Sequence, residues 1–157
     1  MSAKPSSWQT LSEFSLPSQA GSDRLARDLV ALALQSLNLP PSVLERLKTA
    51  VAEATLNAIE HGNRYRPDLP VSVRVQLSEK AVTVQVIDQG TNPISTSETP
   101  DITAKVSGQE PPRGWGFFLI ERMVDDIQIS SDSAHHTIEL FLYLEDNKTA
   151  QKREKQK

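Results

Sequence analysis

Cysteine is absent from the 157-residue chain, and histidine occurs only three times, at His61, His135 and His136. Without cysteine the chain has no disulfide, no thiol chemistry and no Cys-based zinc or iron–sulfur site. Three histidines leave little for a histidine-rich metal centre. Any bound metal is therefore expected to have oxygen ligands.

Long hydrophobic runs are also missing from the sequence. No apolar run approaches the roughly 20 residues that span a bilayer. The first fourteen residues, MSAKPSSWQTLSEF, lack the apolar region of a signal peptide. Hydrophobic residues still make up 38% of the chain, enough for one sizeable core. These features predict a single cytoplasmic domain without membrane contact.

Positive charge is scarce outside the C-terminal end. The net charge is −3, but residues 148–157 hold five basic and one acidic side chain, which leaves −7 for residues 1–147. An acidic body repels phosphate backbones, so direct nucleic-acid binding is not expected. We interpret residues 1–7 and the basic stretch 146–157 as disordered ends that flank a domain at 8–145.

Hydrophobic periodicity predicts two helices after a first strand at 8–15. Ser22 is the expected N-cap of the first helix, whose apolar residues recur at Leu25, Leu29 and Leu32, with Val30 and Leu37 as a further pair. The Pro40-Pro41-Ser42 segment separates this helix from a second one. The second helix has an apolar stripe of Leu44, Leu47, Val51, Ala54 and Ala58, and Gly62 is its expected C-terminal stop.

Alternation of apolar and polar residues predicts two hairpins. The first has Val71, Val73, Val75 and Leu77, then Val82, Val84 and Val86; the last strand has Ile138, Leu140, Leu142 and Leu144. His135 and His136 fall in the turn before that strand and are expected at the surface. Residues 90–112 lack periodicity, which is typical of a lid or a disordered loop, and a third helix follows.

This element order predicts an α+β fold. Strands and helices come in the order strand, helix, helix, two strands, lid, helix, two strands, without the strict alternation of a Rossmann fold. A two-layer α/β sandwich satisfies it, with an antiparallel or mixed, mostly antiparallel, sheet and three helices on one face.

The second helix places Glu53, Asn57 and His61 one turn apart on a face distinct from its apolar stripe. An ordinary solvated polar face would have the same pattern. An asparagine carbonyl, however, suits Mg²⁺, and a neighbouring carboxylate can accept a proton from an attacking hydroxyl. His61 is interpreted as a packing or solvent-facing residue.

Two further segments have residues suited to a ligand. Asp88 and Gly90 follow the strand AVTVQVID, where an aspartate can read a ligand edge while the backbone comes close, although both residues are also common turn formers. Arg113, Gly114 and Gly116 open the third helix, where free backbone N–H groups suit a phosphate, although a helix with a flexible entry would look the same.

The three segments together resemble a known family. VAEATLNAIEHGN (51–63) resembles the N-box of histidine-kinase-type ATP-binding domains, VIDQG their first glycine box, and RGWGFFLIERMVDD their second. Within that superfamily the chain resembles the anti-sigma factor serine kinases, over roughly residues 10–145.

The resemblance implies ATP and Mg²⁺ as ligands and assigns roles along the chain. Glu53 matches the family's general base and Asn57 its Mg²⁺ ligand. Asp88 matches the reader of the adenine amine, and Gly90 the glycine of close approach. Asn92 stands where the family often has a second glycine.

The remaining matches concern the phosphates and the adenine ring. Gly114 and Gly116 match the glycines of the phosphate loop, and Arg113 lies where a cation could meet the γ-phosphate. Thr137, at the start of the last strand, matches a threonine that often lies near adenine.

The implied function is that of a serine/threonine protein kinase and binding switch. Such a protein holds a sigma factor and phosphorylates an anti-anti-sigma (STAS-type) partner, and a homodimer is expected. A face around Phe14, Arg24 and Arg27 is a candidate partner surface. Two alternatives stay open: a non-catalytic nucleotide-binding regulator, and an ATPase in which Glu53 activates water.

Overall fold

The computed structural model describes residues 7–90 and 113–144. Within them the chain forms, in order, β1 (Gln9–Leu16), α1 (Ser22–Ala33), α2 (Pro41–Asn57), β2 (Val71–Leu77), β3 (Ala81–Asp88), α3 (Arg113–Met123), β4 (Asp126–Ser131) and β5 (His136–Tyr143). The predicted order of elements is confirmed. The lid at 91–112 and, apart from Ser7, the ends expected to be disordered lie outside the described residues.

The described strands form one five-stranded sheet in the order β1-β2-β3-β5-β4. Every pairing among them is antiparallel. Of the residues predicted to face the core, Leu77 is half-buried and Leu144 is 8% exposed, while the other nine are at most 5% exposed: Val71, Val73, Val75, Val82, Val84, Val86, Ile138, Leu140 and Leu142. This inner face of the sheet is covered by α1 and α2, and α3 packs on α2. The two-layer α/β sandwich is therefore confirmed.

The buried stripe of α1 differs from the prediction. Ala26, Val30 and Leu34 are buried, whereas Leu25 is 47% and Leu32 is 65% exposed. A stripe at i, i+4 and i+8 keeps the small Ala26 against the sheet. The larger leucines lie one residue to the side. The spacing thus indicated a helix correctly, and of the predicted residues Val30 is buried and Leu29 packs against the core, whereas the choice of Leu25 and Leu32 was wrong.

The start of α1 also differs from the prediction. Gly21, with a φ of 96°, occupies the N-cap position, and no side chain caps the helix there. Ser22 is instead the first helical residue and is only 4% exposed. A left-handed φ favours glycine, so the chain turns into α1 by backbone conformation rather than by a serine cap.

Helix α2 begins at Pro41, whose fixed φ suits the first helical position. Leu47, Val51, Ala54 and Ala58 of the predicted stripe are buried, while Leu44 is half-buried. The α-helix ends at Asn57 and continues as a π-helical turn, Ala58–Gly62. Gly62 does not stop the helix through a left-handed conformation, because among the described glycines only Gly21 has a positive φ. No helix in the described ranges is both long and apolar enough to cross a membrane.

Asn63, directly after this turn, joins three segments of the chain. Its Nδ2 donates to the Ser18 hydroxyl at 3.0 Å and to the carbonyls of Leu69 and Pro70 at 2.9 and 3.1 Å. Its Oδ1 accepts from the Gln89 N–H at 2.7 Å. Only 1% of Asn63 is exposed. One amide thus holds the end of β3 against the end of α2.

We expect Asn63→Leu to lower the free energy of unfolding by about 3 kcal/mol, because it leaves several buried donors and acceptors without partners. Asn63→Asp should be similarly damaging despite its equal shape, since a carboxylate would face two carbonyls. Chemical denaturation measures both. Gln76→Leu is the control, because the Gln76 amide makes only a 3.4 Å contact with Thr10, and a change within about 0.5 kcal/mol is expected. An Asn63→Leu protein as stable as the control would contradict the role of the amide.

Candidate functional site

Asp88 is a buried carboxylate at the end of the inner face of the sheet. It is the last residue of β3, two residues beyond the buried Val86, and is 6% exposed. A carboxylate that continues an apolar face loses its hydration, which is tolerated only with hydrogen-bonding partners. The surroundings of Asp88 therefore define the candidate site.

Two glycines allow the backbone to close around Asp88. A Cβ at Gly62 would overlap the Asp88 carboxylate, and a Cβ at Gly90 would overlap the backbone of Gly62. The end of the π-helical turn therefore lies directly against the end of β3. Gly90 was selected from the sequence as a glycine that lets the backbone approach a ligand, and that role stays a prediction. In the structure Gly90 lies against the backbone of Gly62, and Gly62 lies against Asp88.

His136 is the side chain that the sequence placed wrongly. It was expected at the surface, but it is 4% exposed and begins β5 directly opposite Asp88. Its Nδ1 lies 3.0 Å from Oδ1 of Asp88. The same oxygen accepts the Gly90 N–H at 2.8 Å. Its neighbour His135 is exposed, as expected.

The electrostatics of Asp88 reflect this burial. Burial raises the pKa of Asp88, while the hydrogen bond from the Gly90 N–H and the His136 imidazole oppose that rise. The net direction is upward. A buried carboxylate with a raised pKa in a glycine-lined contact is typical of functional sites.

Glu53 and Asn57 lie one turn apart on α2, as predicted, and both are half-buried. Burial raises the pKa of Glu53, and the nearby carboxylates of Asp23 and Glu60 raise it further. Among the described residues, neither side chain has a hydrogen-bonding partner in the structure. The carboxylate oxygens of Glu53 and the amide oxygen of Asn57 are therefore available to a ligand. A carboxylate with a raised pKa, such as Glu53, suits proton transfer.

His61, in the π-helical turn, is exposed, which agrees with the interpretation of a packing or solvent-facing residue. Its Nε2 lies 3.8 Å from a Glu60 carboxylate oxygen. Within the described ranges, no group of three or more histidine or acidic side chains has the geometry of a metal site.

The other predicted residues lie on α3 and β5. Arg113 begins α3, and Gly114 and Gly116 lie in its first turn. Thr137 pairs with Ile87 of β3 and is half-buried. Because neighbouring residues of a strand point to opposite faces, Thr137 faces away from Asp88, and His136 occupies the inner position.

The sequence reasoning missed His136, Gly62 and Asn63 as parts of the site. A signal for His136 was present. Ile138, Leu140 and Leu142 face inward, so the same alternation extended by two residues places His136 on the inner face. Gly62 and Asn63 gave no such signal, because their roles depend on contacts with β3, more than twenty residues away in sequence.

The residues present fit a nucleotide and Mg²⁺. The glycine contacts of Gly62 and Gly90 leave the buried Asp88 carboxylate as a hydrogen-bond acceptor for a base edge. The side-chain oxygens of Glu53 and Asn57 are hard donors of the kind that Mg²⁺ prefers.

A family model for the histidine kinase-like ATPase domain matches residues 16–141. Curated relatives include the anti-sigma F factor of Bacillus cytotoxicus, 32% identical over 133 residues that cover 84% of this chain and 90% of that protein. The anti-sigma F factor of Clostridium beijerinckii is 29% identical over 122 residues, which cover 76% of this chain and 84% of that protein.

Solved structures share the fold. The RsbU and RsbW domains of a Mycobacterium tuberculosis protein match with a TM-score of 0.60 and 19% identity over 88% of this chain, which spans only 32% of that one. The SiaB–SiaC complex of Pseudomonas aeruginosa matches with a TM-score of 0.60 and 14% identity, over 85% of this chain and 89% of the other.

The raised pKa values of Asp88 and Glu53 predict that Asp88→Asn and Glu53→Gln each increase thermal stability at pH 7. Ionisation of a group whose pKa is higher in the folded state costs folding free energy above its ordinary value, 3.8 for Asp88 and 4.5 for Glu53. The gain should vanish as the pH falls towards those values, because the parent side chains then become neutral too. Melting temperatures across pH 3–8 measure this.

Asp132→Asn is the control of opposite sign. Hydrogen bonds from the Ala134 and His135 N–H groups lower the pKa of Asp132. Its ionised form therefore stabilises the fold above the ordinary value, and this variant should melt lower than the parent at pH 7, with the difference lost in acid. An Asp88→Asn protein that also melts lower would mean that the fold requires the charge on Asp88.

Proposed function

The chain belongs to the histidine kinase-like ATPase domain family, and we propose that it is an ATP-dependent serine/threonine kinase that acts as an anti-sigma regulatory factor. It binds a sigma factor and phosphorylates an anti-anti-sigma antagonist of the STAS type. The observation that carries this proposal is the presence of both a glycine-enclosed, buried Asp88 and the unengaged side-chain oxygens of Glu53 and Asn57 on α2. The anti-sigma F factors among its relatives support the choice of partners.

In this proposal, the nucleotide base is bound at the end of β3, beside Asp88. Asp88 accepts a hydrogen bond from the exocyclic amine of adenine, and Gly62 and Gly90 leave room for the backbone to approach. Gly114 and Gly116, in the first turn of α3, offer backbone N–H groups to the phosphates at the positive end of the helix. Arg113 adds a cation near the γ-phosphate.

In this proposal, residues of α2 carry out the phosphoryl transfer. The side-chain carbonyl of Asn57 would hold Mg²⁺, which when bound neutralises charge on the phosphates. Glu53 orients the attacking hydroxyl and accepts its proton. Burial with the neighbouring Asp23 and Glu60 raises the pKa of Glu53 and so makes it a stronger base for that hydroxyl.

Helix α1 supports a partner-binding role. Leu25 and Leu32 are exposed large hydrophobic side chains on this helix, and Arg24 beside them is also exposed. Apolar side chains clustered at a surface favour a protein interface. We propose this face, with Arg27, for the sigma factor or the antagonist. Phe14 of the earlier prediction is half-buried against the core instead.

A non-catalytic regulator that binds nucleotide and exchanges partners is the second candidate. It would use the Asp88 site and the α1 face but would not need a base on α2. The position of Glu53 favours the kinase: its carboxylate has no hydrogen-bonding partner among the described residues, and burial, followed by Asp23 and Glu60, raises its pKa, which suits a proton acceptor.

Glu53→Gln separates the two candidates. The variant should bind Mg-ATP about as well as the parent, while phosphorylation of the antagonist falls about 10²–10⁴-fold, the usual range for loss of a general base. Asn57→Ala should reduce both, because it removes the metal ligand. Labelled ATP with the antagonist protein measures transfer, and calorimetry measures binding.

Glu45→Gln is the matched control, since Glu45 also lies on α2 but forms an exposed ion pair with Lys48 at 3.1 Å. It should phosphorylate the antagonist at the parental rate. Release of free phosphate without a phosphoprotein would indicate the ATPase alternative. Parental transfer by the Glu53→Gln variant would remove the catalytic role of Glu53.

Asp88→Asn tests nucleotide recognition. It should weaken ATP binding by about tenfold or more, because the amide nitrogen that replaces one oxygen would face the adenine amine donor to donor. The parent should bind GTP poorly. Asp28→Asn, at an exposed ion pair on α1, is the control and should leave ATP affinity unchanged. Equal affinity of the parent for ATP and GTP would contradict adenine recognition by Asp88.

A further inference from the structure

The contact between Asp88 and His136 is a buried polar pair that the proposed phosphoryl transfer does not use. The two residues are 6% and 4% exposed and stand directly opposite each other on β3 and β5. The Nδ1–Oδ1 distance is 3.0 Å. An ionised carboxylate can only accept hydrogen bonds, so Nδ1 carries the proton of this pair.

The two oxygens of the Asp88 carboxylate have different surroundings. Oδ1 accepts from both the Gly90 N–H and the His136 imidazole. Among the described residues, no hydrogen bond engages Oδ2. One donor on Oδ1 lies two residues after the end of β3 and the other lies on β5, so turning the carboxylate out of its present plane would break both contacts. The pair therefore fixes the orientation of the carboxylate and thus the direction in which its second oxygen points.

We propose that His136 is a positioning residue for base recognition: its Nδ1–H holds Oδ1 of Asp88 so that Oδ2 faces the exocyclic amine of adenine. This inference rests on the proposed function, in which Asp88 reads that amine. His136 thereby sets the preference for a base with an amine over a base with a carbonyl at the same position.

A purely structural role for His136 predicts a different result. If the imidazole only fills space or stabilises the fold, its loss lowers the stability of the protein and weakens the binding of every nucleotide to the same extent. If the imidazole positions Asp88, its loss selectively weakens the binding of nucleotides that carry the amine. The ratio of two affinities separates these cases, because a general loss of stability cancels in the ratio.

Asparagine and leucine have nearly the same shape, and they form the test pair. The amide nitrogen of Asn can take the place of Nδ1, so His136→Asn keeps a donor for Asp88, whereas His136→Leu removes it. The probes are ATP and inosine triphosphate, which differ at the position of the amine. Calorimetry on the full chain gives the affinity of each protein for both nucleotides.

The parent should prefer ATP over inosine triphosphate by about tenfold or more, and His136→Asn should keep that preference within about threefold. His136→Leu should bring the ratio close to one, mainly through weaker ATP binding. A parental ratio in His136→Leu, or a ratio in His136→Asn as low as in His136→Leu, would overturn the positioning role. A parent without preference would instead refute adenine recognition by Asp88, and the inference would fall with it.

A second measurement covers the case in which His136→Leu does not fold. Nitrogen-15 NMR of the parent should show the His136 imidazole protonated at Nδ1 at neutral pH, and Asp88→Asn should change its Nδ1 shift. His135, which is exposed, is the internal control, and Asp88→Asn should leave its Nδ1 shift unchanged. An His136 ring that lacks the Nδ1 proton at neutral pH would overturn the proposal, whatever the variants do.

Discussion

The close approach of Gly62 to Asp88 is the constraint on which the site depends. A side chain at residue 62 would overlap the carboxylate, and one at residue 90 would overlap the Gly62 backbone. Because neither residue has a Cβ, the end of the helical layer and the end of the sheet meet without an intervening side chain. The Asn63 side chain stabilises this contact, because its Oδ1 accepts a hydrogen bond from the Gln89 N–H directly after β3. Packing and hydrogen bonding thus act on the same few backbone atoms.

The candidate site contains two carboxylates, Asp88 and Glu53, at buried or half-buried positions where neutral side chains would be more stable. Asp88 extends a row of buried valines on β3, and burial raises its pKa. Burial also raises the pKa of Glu53, and two neighbouring carboxylates raise it further. A protein selected for stability alone would have neutral residues at these positions. The charges on Asp88 and Glu53 therefore lower stability, and in the proposed function their ligand chemistry offsets that cost.

The sheet was predictable from the sequence because β2, β3 and β5 each have apolar residues at every second position on one face, while the other face carries most of their polar residues. Helix α1 was only half predictable. Its leucines and its alanine–valine stripe both have helical spacing, and only packing against the sheet decides between them. The polar residues at strand and helix ends, Asp88 and Asn57, were found through motif resemblance. Contacts made between distant segments, such as those of Gly62 and Asn63, leave no periodic trace in the sequence.

Asp88 is the last residue of β3 and His136 the first of β5, so their contact closes the base of a 47-residue excursion of the chain, from 89 to 135. The entropy of loop closure grows only slowly with the length of a loop once its ends are held. Changes in the length of the connections within the excursion therefore cost little closure entropy, whereas α3, which packs on α2, and β4, which pairs with β5, constrain the rest of it. The contact between Asp88 and His136 therefore holds both ends of the excursion together beside the candidate site.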